Sequence, residues 1–460
     1  MNGRDQEAES DGVEEALALV ARRTRHEDAS GSAPGSDASS ESTGESAAER
    51  HRATSWSGAR ALAARIGRAA QPRTRRVRLD HALGQVLAEP LTALCDLPSF
   101  DTSAMDGWAV AGPGPWTIRG GGSLLAGHGE TPPLPDGAAV RIATGARIPP
   151  EATAVIRSEH ARTDADEGRL HAEREVVQGQ DIRPRGQECR SGDHLLPAAS
   201  LVTPAVLGLA AAAGYDELVT IARPRVEVLV LGDELLNAGL PHRGLIRDAL
   251  GPMIGPWLGA LGVDVVATRS LGDDAEALHR AVTTSDADLI VTTGGTAAGP
   301  VDHVHPVLRK AGAELLVDGV AVRPGHPMLL ARLAPQGDMS PRYLVGLPGN
   351  PLAAVSGLLT LAEPLLSGLA GRPTSVPYRA PVRDEVHGHP YDTRLVPFVH
   401  RADRLVPLHY NGPAMLRGIA AADGLAVVPP GGARAGDELE VLDLPWTSWA
   451  PSIADGGRFT

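Results

Sequence analysis

Residues 226–231, Val226-Glu227-Val228-Leu229-Val230-Leu231, form an apolar run broken only by Glu227, and they end in Gly232-Asp233-Glu234. Two further runs share this shape. Residues 289–291 lead into Thr292-Thr293-Gly294-Gly295, and residues 343–345 lead into Gly346-Leu347-Pro348-Gly349-Asn350-Pro351. Between them, residues 251–261 and 275–283 carry helical spacing. Apolar strands that alternate with helices and leave through short glycine-rich turns are what a parallel sheet wrapped by helices requires. The fold expected is multi-domain α/β with a central parallel α/β sheet. Ligands of such sheets bind beyond the carboxyl ends of the strands, so the three exits are expected to line one site.

Outward from this centre the texture changes. Residues 61–70 have helical spacing, and residues 79–89 read as a second helix stopped at Pro90. Residues 107–192 are rich in Gly and Pro with short alternating stretches, which predicts a β-rich N-terminal subdomain. Residues 378–444 read in the same way as a small C-terminal β-domain. Residues 1–55 hold 12 acidic and 6 basic side chains, a net of −6, and residues 29–48 are mostly Ser, Gly, Ala and Glu. Such a segment buries too little apolar surface to offset its ordering entropy, so a disordered acidic tail is expected. The boundaries expected are a tail over 1–55, a helical linker plus β-rich subdomain over 56–222, the α/β domain over 223–372, the β-domain over 373–446 and a second tail over 447–460.

The 460 residues are 42% hydrophobic and 22% charged, with a formal charge of −13, which argues against general affinity for nucleic acid or an anionic membrane. No apolar run reaches the roughly 18 residues of a membrane span, and the acidic start lacks the features of a signal peptide. A cytoplasmic protein is expected. Cys95 and Cys189 are far apart in sequence and form no CxxC, which excludes a disulfide framework or a cysteine-rich zinc site. Lys310 is the only lysine, so a site that would use lysine is expected to rely on another cation.

The stretch FDTSAMDGWA, residues 100–109, packs two carboxylates and two hydroxyls into a segment with little apolar periodicity. That composition suits metal or phosphate binding; on local chemistry alone, an ordinary capped turn is the alternative. Glycines at the strand exits expose backbone N–H groups and let an anion approach closely. Asp233, Glu234 and Asp302 sit on or just past those exits. Carboxylates there would repel an anion unless a cation lay between, and Mg²⁺ takes oxygen ligands and bridges to phosphates. For Asp233 alone, capping of a following helix is an equal reading. The pairs His303/His305 and His387/His389 have no HExxH or cysteine partner and read as surface histidines. No Walker loop, nucleophile elbow or dinucleotide fingerprint occurs.

The segments FDTSAMDGWAV, RIATGARIPPEATAVI, DIRPRGQECRSGD, GDEL, TTGGTAAGPVDH, RPGHP and GLPGNP stand in the order found in the molybdopterin molybdenumtransferases, the MoeA and gephyrin E-domain family, which this chain resembles from about residue 57 to 444. The resemblance implies a cytoplasmic homodimer. It implies a Mg²⁺-dependent transferase that inserts molybdenum from molybdate into adenylyl-molybdopterin and releases AMP, with a molybdopterin adenylyltransferase upstream. It assigns catalytic roles to Asp101, Thr144, Glu234 and Asp302. Substrate contacts fall to Ser103, Asp106, Asp288, Gly294, Gly295, Arg323, His326, Gly349 and Asn350, and Mg²⁺ to Asp233, Glu234 and Asp302.

The departures fall on the oxyanion side. Where the family has Lys-Pro-Gly-Lys-Pro, this chain has Arg323-Pro324-Gly325-His326-Pro327; Ala353 replaces a serine, and Asp248-Ala249-Leu250 keeps only the acid of Asp-Ser-Asn. Pro413, Ala414, Met415 and Arg417 occupy serine-rich positions of the last domain. Arg323 is expected to be the main cation toward molybdate, since arginine suits oxyanions, and His326 a second one whose charge depends on pH. Two other readings compete with the transferase: a non-catalytic molybdopterin-binding scaffold or carrier, and a nucleotide pyrophosphatase that reuses the central sheet.

Overall fold

In the computed structural model, which describes residues 53–446 except 121, 128–131, 165, 298–301, 336–339 and 373–376, the run quoted first is the strand Arg225–Leu231. It lies second in a six-stranded sheet ordered Asp264–Leu271, Arg225–Leu231, Leu289–Thr293, Tyr343–Leu347, Leu329–Arg332 and Glu314–Asp318. The first four strands are parallel, with Val230 opposite Thr293 and Thr293 opposite Leu347, so their ends are aligned. The last two are antiparallel to their neighbours. The central sheet is therefore mixed: the three strands expected to run parallel do so, and two antiparallel strands extend the sheet. Only residues 333–342 join Leu329–Arg332 to Tyr343–Leu347, shorter than a parallel crossover needs.

Side chains alternate between two cores. Val226, Val228, Val230, Leu289, Val291, Val345 and Leu347 face Ile254, Trp257, Leu358 and Leu361, whereas Leu229, Ile290 and Leu344 face Leu278, Val282, Val307 and Leu308. Both faces of the sheet are covered, which is why its strands are apolar throughout. Glu227 is only 5% exposed and pairs with Arg269 on the neighbouring strand. The helical run Pro351–Leu369 is apolar and long enough to pass for a membrane span, contrary to the sequence expectation, but 78% of its most apolar window is buried within the protein.

The N-terminal helix Trp56–Ala69 lies against this run. Trp56 Nε1 donates to Thr360 Oγ1 at 3.1 Å, and Gly67 meets Gly368 so closely that a Cβ on Gly67 would collide with the Leu365 carbonyl. The predicted helix over 79–89 shortens to Leu79–Ala82; Gly84 takes a positive φ of 74° and the chain continues as the strand Val86–Leu87. The β-rich subdomain is a six-stranded lobe ordered Ala161–Asp164, Arg169–Ala172, Trp116–Ile118, Ala138–Ile142, Gly107–Val110 and Ala154–Arg157.

The C-terminal sheet is built from Thr393–Arg401, Gly424–Val428, Glu438–Asp443, Arg379–Pro381 and Arg404–Pro407, with two strands added from elsewhere: Val320–Arg323 and, outside it, Thr54–Ser55. Thr54 and Ser55 thus belong to the folded part rather than to the tail, and Ser55 accepts the Gly58 N–H as cap of the first helix. Of the tail expected over residues 1–55, residues 1–52 lie outside the described residues, as does the second tail over 447–460.

Gly67→Ala should lower unfolding free energy by about 2 kcal/mol, because the helices must separate to admit the methyl group. Gly259→Ala, on a helix where a Cβ meets nothing within 4 Å, should instead raise it by about 0.5–1 kcal/mol. Urea titration of both variants checks the pair.

Candidate functional site

The three exits meet at one end of the sheet. Gly294 N donates to Leu347 O at 2.8 Å, and a Cβ on Gly349 would touch Gly294 Cα at 3.7 Å. Gly294 and Gly295 have φ of 82° and 66°, the left-handed region that glycine tolerates. Asn350 is exposed at the start of Pro351–Gly357. Asp302 is half-buried two residues ahead of Val304, whose N–H donates to Gly295 O at 3.3 Å.

Asp233 and Glu234 are exposed at the first exit and diverge: Asp233 leans over Gly272, while Glu234 folds back over Gly232. No helix follows them, since the chain enters the short strand Leu235–Leu236, so Asp233 does not cap one. Among the described residues no group of three or more His, Cys, Asp or Glu side chains is arranged to hold a metal ion. Asp233, Glu234 and Asp302 are therefore not a preformed ligand set. Their hard oxygen donors still suit Mg²⁺, which commonly takes one or two carboxylates and completes its shell with water and substrate phosphate.

A second group forms in the six-stranded lobe. The loop before Gly107–Val110 interlocks with the turn at Thr144: Gly145 N donates to Ser103 O at 2.8 Å, and Ser103 N to Ala146 O at 2.9 Å. Ser103 Oγ donates to Met105 O at 2.6 Å. Thr144 N donates to Asp106 Oδ1 at 2.6 Å, and this N–H, followed by the Thr144 hydroxyl, holds the Asp106 carboxyl below its ordinary range. Asp101 Oδ1 accepts from Arg185 N at 2.7 Å. Gly107 is required here, because a Cβ would run into the Ile156 carbonyl across the ladder. Asp101, Ser103, Asp106 and Thr144 are thus brought together in one loop group.

The altered oxyanion positions make a third group. A Cβ on Gly325 would press on Ala353 O and Ser356 Cβ at 3.0 and 3.1 Å, so the Arg323–Pro327 turn packs on the helix that follows Asn350. Arg323 Nε donates to Asp392 Oδ2 at 2.8 Å, and His326 Nδ1 donates to Val320 O at 2.8 Å with its ring over Gly319. Leu352 N and Ala353 N donate to Pro413 O, at 2.9 and 3.3 Å. Arg417 is exposed and stacks on Tyr410 at 4.2 Å. The sequence reading passed over Arg394. It stands opposite Arg323 in register, donates to His387 O at 2.7 Å and to Asn411 Oδ1 at 3.0 Å, and its burial pushes the guanidinium pKa down. Its signal in sequence was a charge immediately before the apolar run 395–399 of the strand Thr393–Arg401.

One expected site residue lies elsewhere. Asp288 precedes Leu289–Thr293, at the entry of the strand and roughly 17 Å from its exit. There it accepts from Arg225 N at 2.8 Å and pairs with Arg73. The acid before the strand ties domains together and does not reach the exits. Of the histidines read as surface groups, His387 is exposed while His303, His305 and His389 are half-buried; His305 pairs with Asp318 at 2.8 Å, and His389 Nδ1 accepts from Asp392 N at 3.0 Å.

A doubly covered α/β sheet with glycine turns at aligned exits, flanked by two β-domains, is an architecture in which phosphorylated ligands are commonly bound at the strand exits. Residues 54–214 match the MoeA N-terminal region (domains I and II), 227–368 a probable molybdopterin-binding domain, and 379–444 the MoeA C-terminal region (domain IV). Molybdopterin molybdenumtransferase 2 of Mycobacterium tuberculosis is 34% identical over 409 residues, covering 83% of this chain and 98% of the relative. The Staphylococcus aureus molybdopterin molybdenumtransferase is 28% identical over 386 residues, 80% and 90% of the two chains. A solved structure of a molybdopterin biosynthesis MoeA protein from Pyrococcus horikoshii superposes with a TM-score of 0.67 at 21% identity, over 85% of this chain and 99% of that one. The chain belongs to the molybdopterin molybdenumtransferase family.

The depressed Asp106 pKa sets a pH signature. A carboxyl whose folded-state pKa lies below its ordinary 3.8 contributes stability that is fully present above that value and is lost as pH falls through the depressed one. Asp106→Asn should therefore unfold at lower urea than the wild type at neutral pH. The gap should narrow as pH drops below about 3.8.

Proposed function

We propose that this chain inserts molybdenum from molybdate into adenylyl-molybdopterin, with release of AMP, as a step of molybdenum cofactor biosynthesis. The observation that carries this reading is the packing of the Gly294-Gly295 and Gly349-Asn350 exits side by side at the end of three neighbouring parallel strands. Backbone N–H groups there suit a phosphorylated pterin, since glycine admits an anion where a side chain would exclude it. Mg²⁺ would be held by Asp233, Glu234 and Asp302 together with substrate phosphates, and it would supply charge neutralisation at the phosphoanhydride. Asp101, Ser103, Asp106 and Thr144 form a rigid polar loop suited to orient a polar substrate, because Thr144 N–H and the Ser103 hydroxyl already fix its shape. The protein acts in the cytoplasm as a homodimer and takes its substrate from an upstream molybdopterin adenylyltransferase.

On the molybdate side, Arg323 and Arg394 lie opposite one another in register and supply the positive charge that lysines supply elsewhere in the family. Three observations favour the scaffold reading instead: Arg323 is paired with Asp392, a serine is replaced by Ala353, and Pro413 O occupies the first N–H groups of the helix. Titration calorimetry with molybdate separates the two. The transferase binds it and loses affinity in Arg323→Ala, whereas the scaffold binds the pterin but no molybdate.

AMP release from adenylyl-molybdopterin, followed with Mg²⁺ and molybdate present, tests the reaction itself. Glu234→Ala should slow it at least about tenfold, which corresponds to about 1.4 kcal/mol of transition-state stabilisation. An unchanged rate would leave Glu234 a structural role.

A further inference from the structure

Arginines gather at the entry end of the central sheet, opposite the end where the glycine exits meet. Three of them are matched by acids: Arg73 pairs with Asp288, Arg225 with Asp286 at 2.9 Å, and Arg223 reaches Asp264 at 3.8 Å. Arg372, which follows the long helical run, comes to the same place. Gly371 beside it packs on Ile221 so tightly that a Cβ would strike the Ile221 side chain. The Arg372 Nη2 lies over Gly262, in the turn after the helix Leu250–Ala260, where a Cβ would collide with it. Both contacts lead to Arg223: Ile221 is two residues before it, and its partner Asp264 is two residues after Gly262.

The Nε atoms of Arg223 and Arg372 are both buried and meet no acceptor among the described residues. Arg223 uses the rest of its fork, with Nη2 donating to Leu83 O at 2.9 Å. Arg372 makes no side-chain hydrogen bond or ion pair among the described residues. Burial pushes its guanidinium pKa down, and the charge of Arg223 pushes the same way. Arginine nonetheless stays charged in proteins, so a half-buried cation stands beside a like charge. Such an arrangement costs stability unless an anion meets it. The carbonyl end of the helix Leu250–Ala260 offers only about half a unit of negative charge and no acceptor to either Nε.

We propose that Arg223 and Arg372 form a binding site for a tetrahedral inorganic oxyanion, phosphate or sulfate, which clamps the strand Glu217–Ile221 to the α/β domain. Two planar guanidinium forks match the paired oxygens of such an ion. The Arg223 side chain is 32% exposed, so the ion enters from solvent. Asp264 sets the charge required, since an ion that competes with a carboxylate 3.8 Å from Arg223 must carry more than one negative charge. The strand Arg225–Leu231 runs from this site to the first glycine exit, a span of roughly 20 Å, so the two ends of the sheet bind separately.

The test follows thermal unfolding of the full chain, first without phosphate or sulfate and then with low millimolar amounts of either, sodium chloride holding the ionic strength equal. The wild-type Tm should rise with each oxyanion and saturate, as binding to the folded state alone requires. Arg372→Gln should start at or above the wild-type Tm without oxyanion, because an unmatched charge has gone, and should lose most of the rise. Arg372→Lys keeps the charge without the fork and should need at least about tenfold more phosphate for half the rise. The series is repeated in the Arg323→Ala background, so that an oxyanion on the molybdate side is not counted; the difference between Arg372 and its variants should persist there. The proposal is overturned if Arg372→Gln responds to phosphate as the wild type does, or if chloride alone reproduces the rise. It is overturned equally if Arg372→Gln lowers Tm by the same amount with and without oxyanion, which leaves Arg372 a helix-end cation and nothing more.

Discussion

Four residues, Val320–Arg323, hold the three parts of the catalytic body together. The strand follows Glu314–Asp318 of the central sheet, yet pairs instead with Thr393–Arg401 of the C-terminal domain on one side and Thr54–Ser55 on the other. Parallel pairing of such short strands is weak by itself. It is secured because Val320 and Val322 are fully buried among residues of all three parts, Trp56, Leu358 and Leu395 among them. The Arg323–Pro327 turn leaves directly from this strand, so the geometry of the oxyanion group depends on where the outer domains sit. The close crossing at Gly67 and Gly368 reinforces the same arrangement from the opposite end of the long helix.

Charge in the site groups is handled by two contrasting means. In the lobe, Asp106 is stabilised as an anion by an N–H and a hydroxyl, a fixed set of donors that needs no counter-ion. At the sheet exits, Asp233 and Glu234 stay exposed and diverge, so water screens them until something binds. The first group is preorganised and the second is not. That difference fits a loop that orients a ligand and exits that gather around its phosphates.

Much of this was legible from residues alone. The exits could be placed because period, apolarity and glycine all agree there, and because aligned parallel strands must end on one side. What failed has physical causes. The antiparallel strands Leu329–Arg332 and Glu314–Asp318 look locally like any other apolar strands, and direction is decided by the length of the connection. Asp288 adjoins the right strand but at its wrong end, a distinction that motif adjacency hides. Ser55 and Thr54 look like tail residues until the Gly58 N–H and the edge of Val320–Arg323 claim them. The charge at Arg394 stands out before an apolar run, but only its cross-strand register with Arg323 places it in the oxyanion group.

Glu227 has a consequence for how the sheet can go wrong. A strand of period two, buried on both faces, tolerates a slip by two residues, since apolar side chains would again meet apolar side chains. The carboxylate does not. Paired with Arg269 beside a bulge at Val226 and Glu227, it meets its partner in one alignment only, and any slip would leave it dehydrated and alone. The one acidic residue in the run thus works as a proofreading mark, rejecting misaligned sheets that hydrophobicity alone would accept.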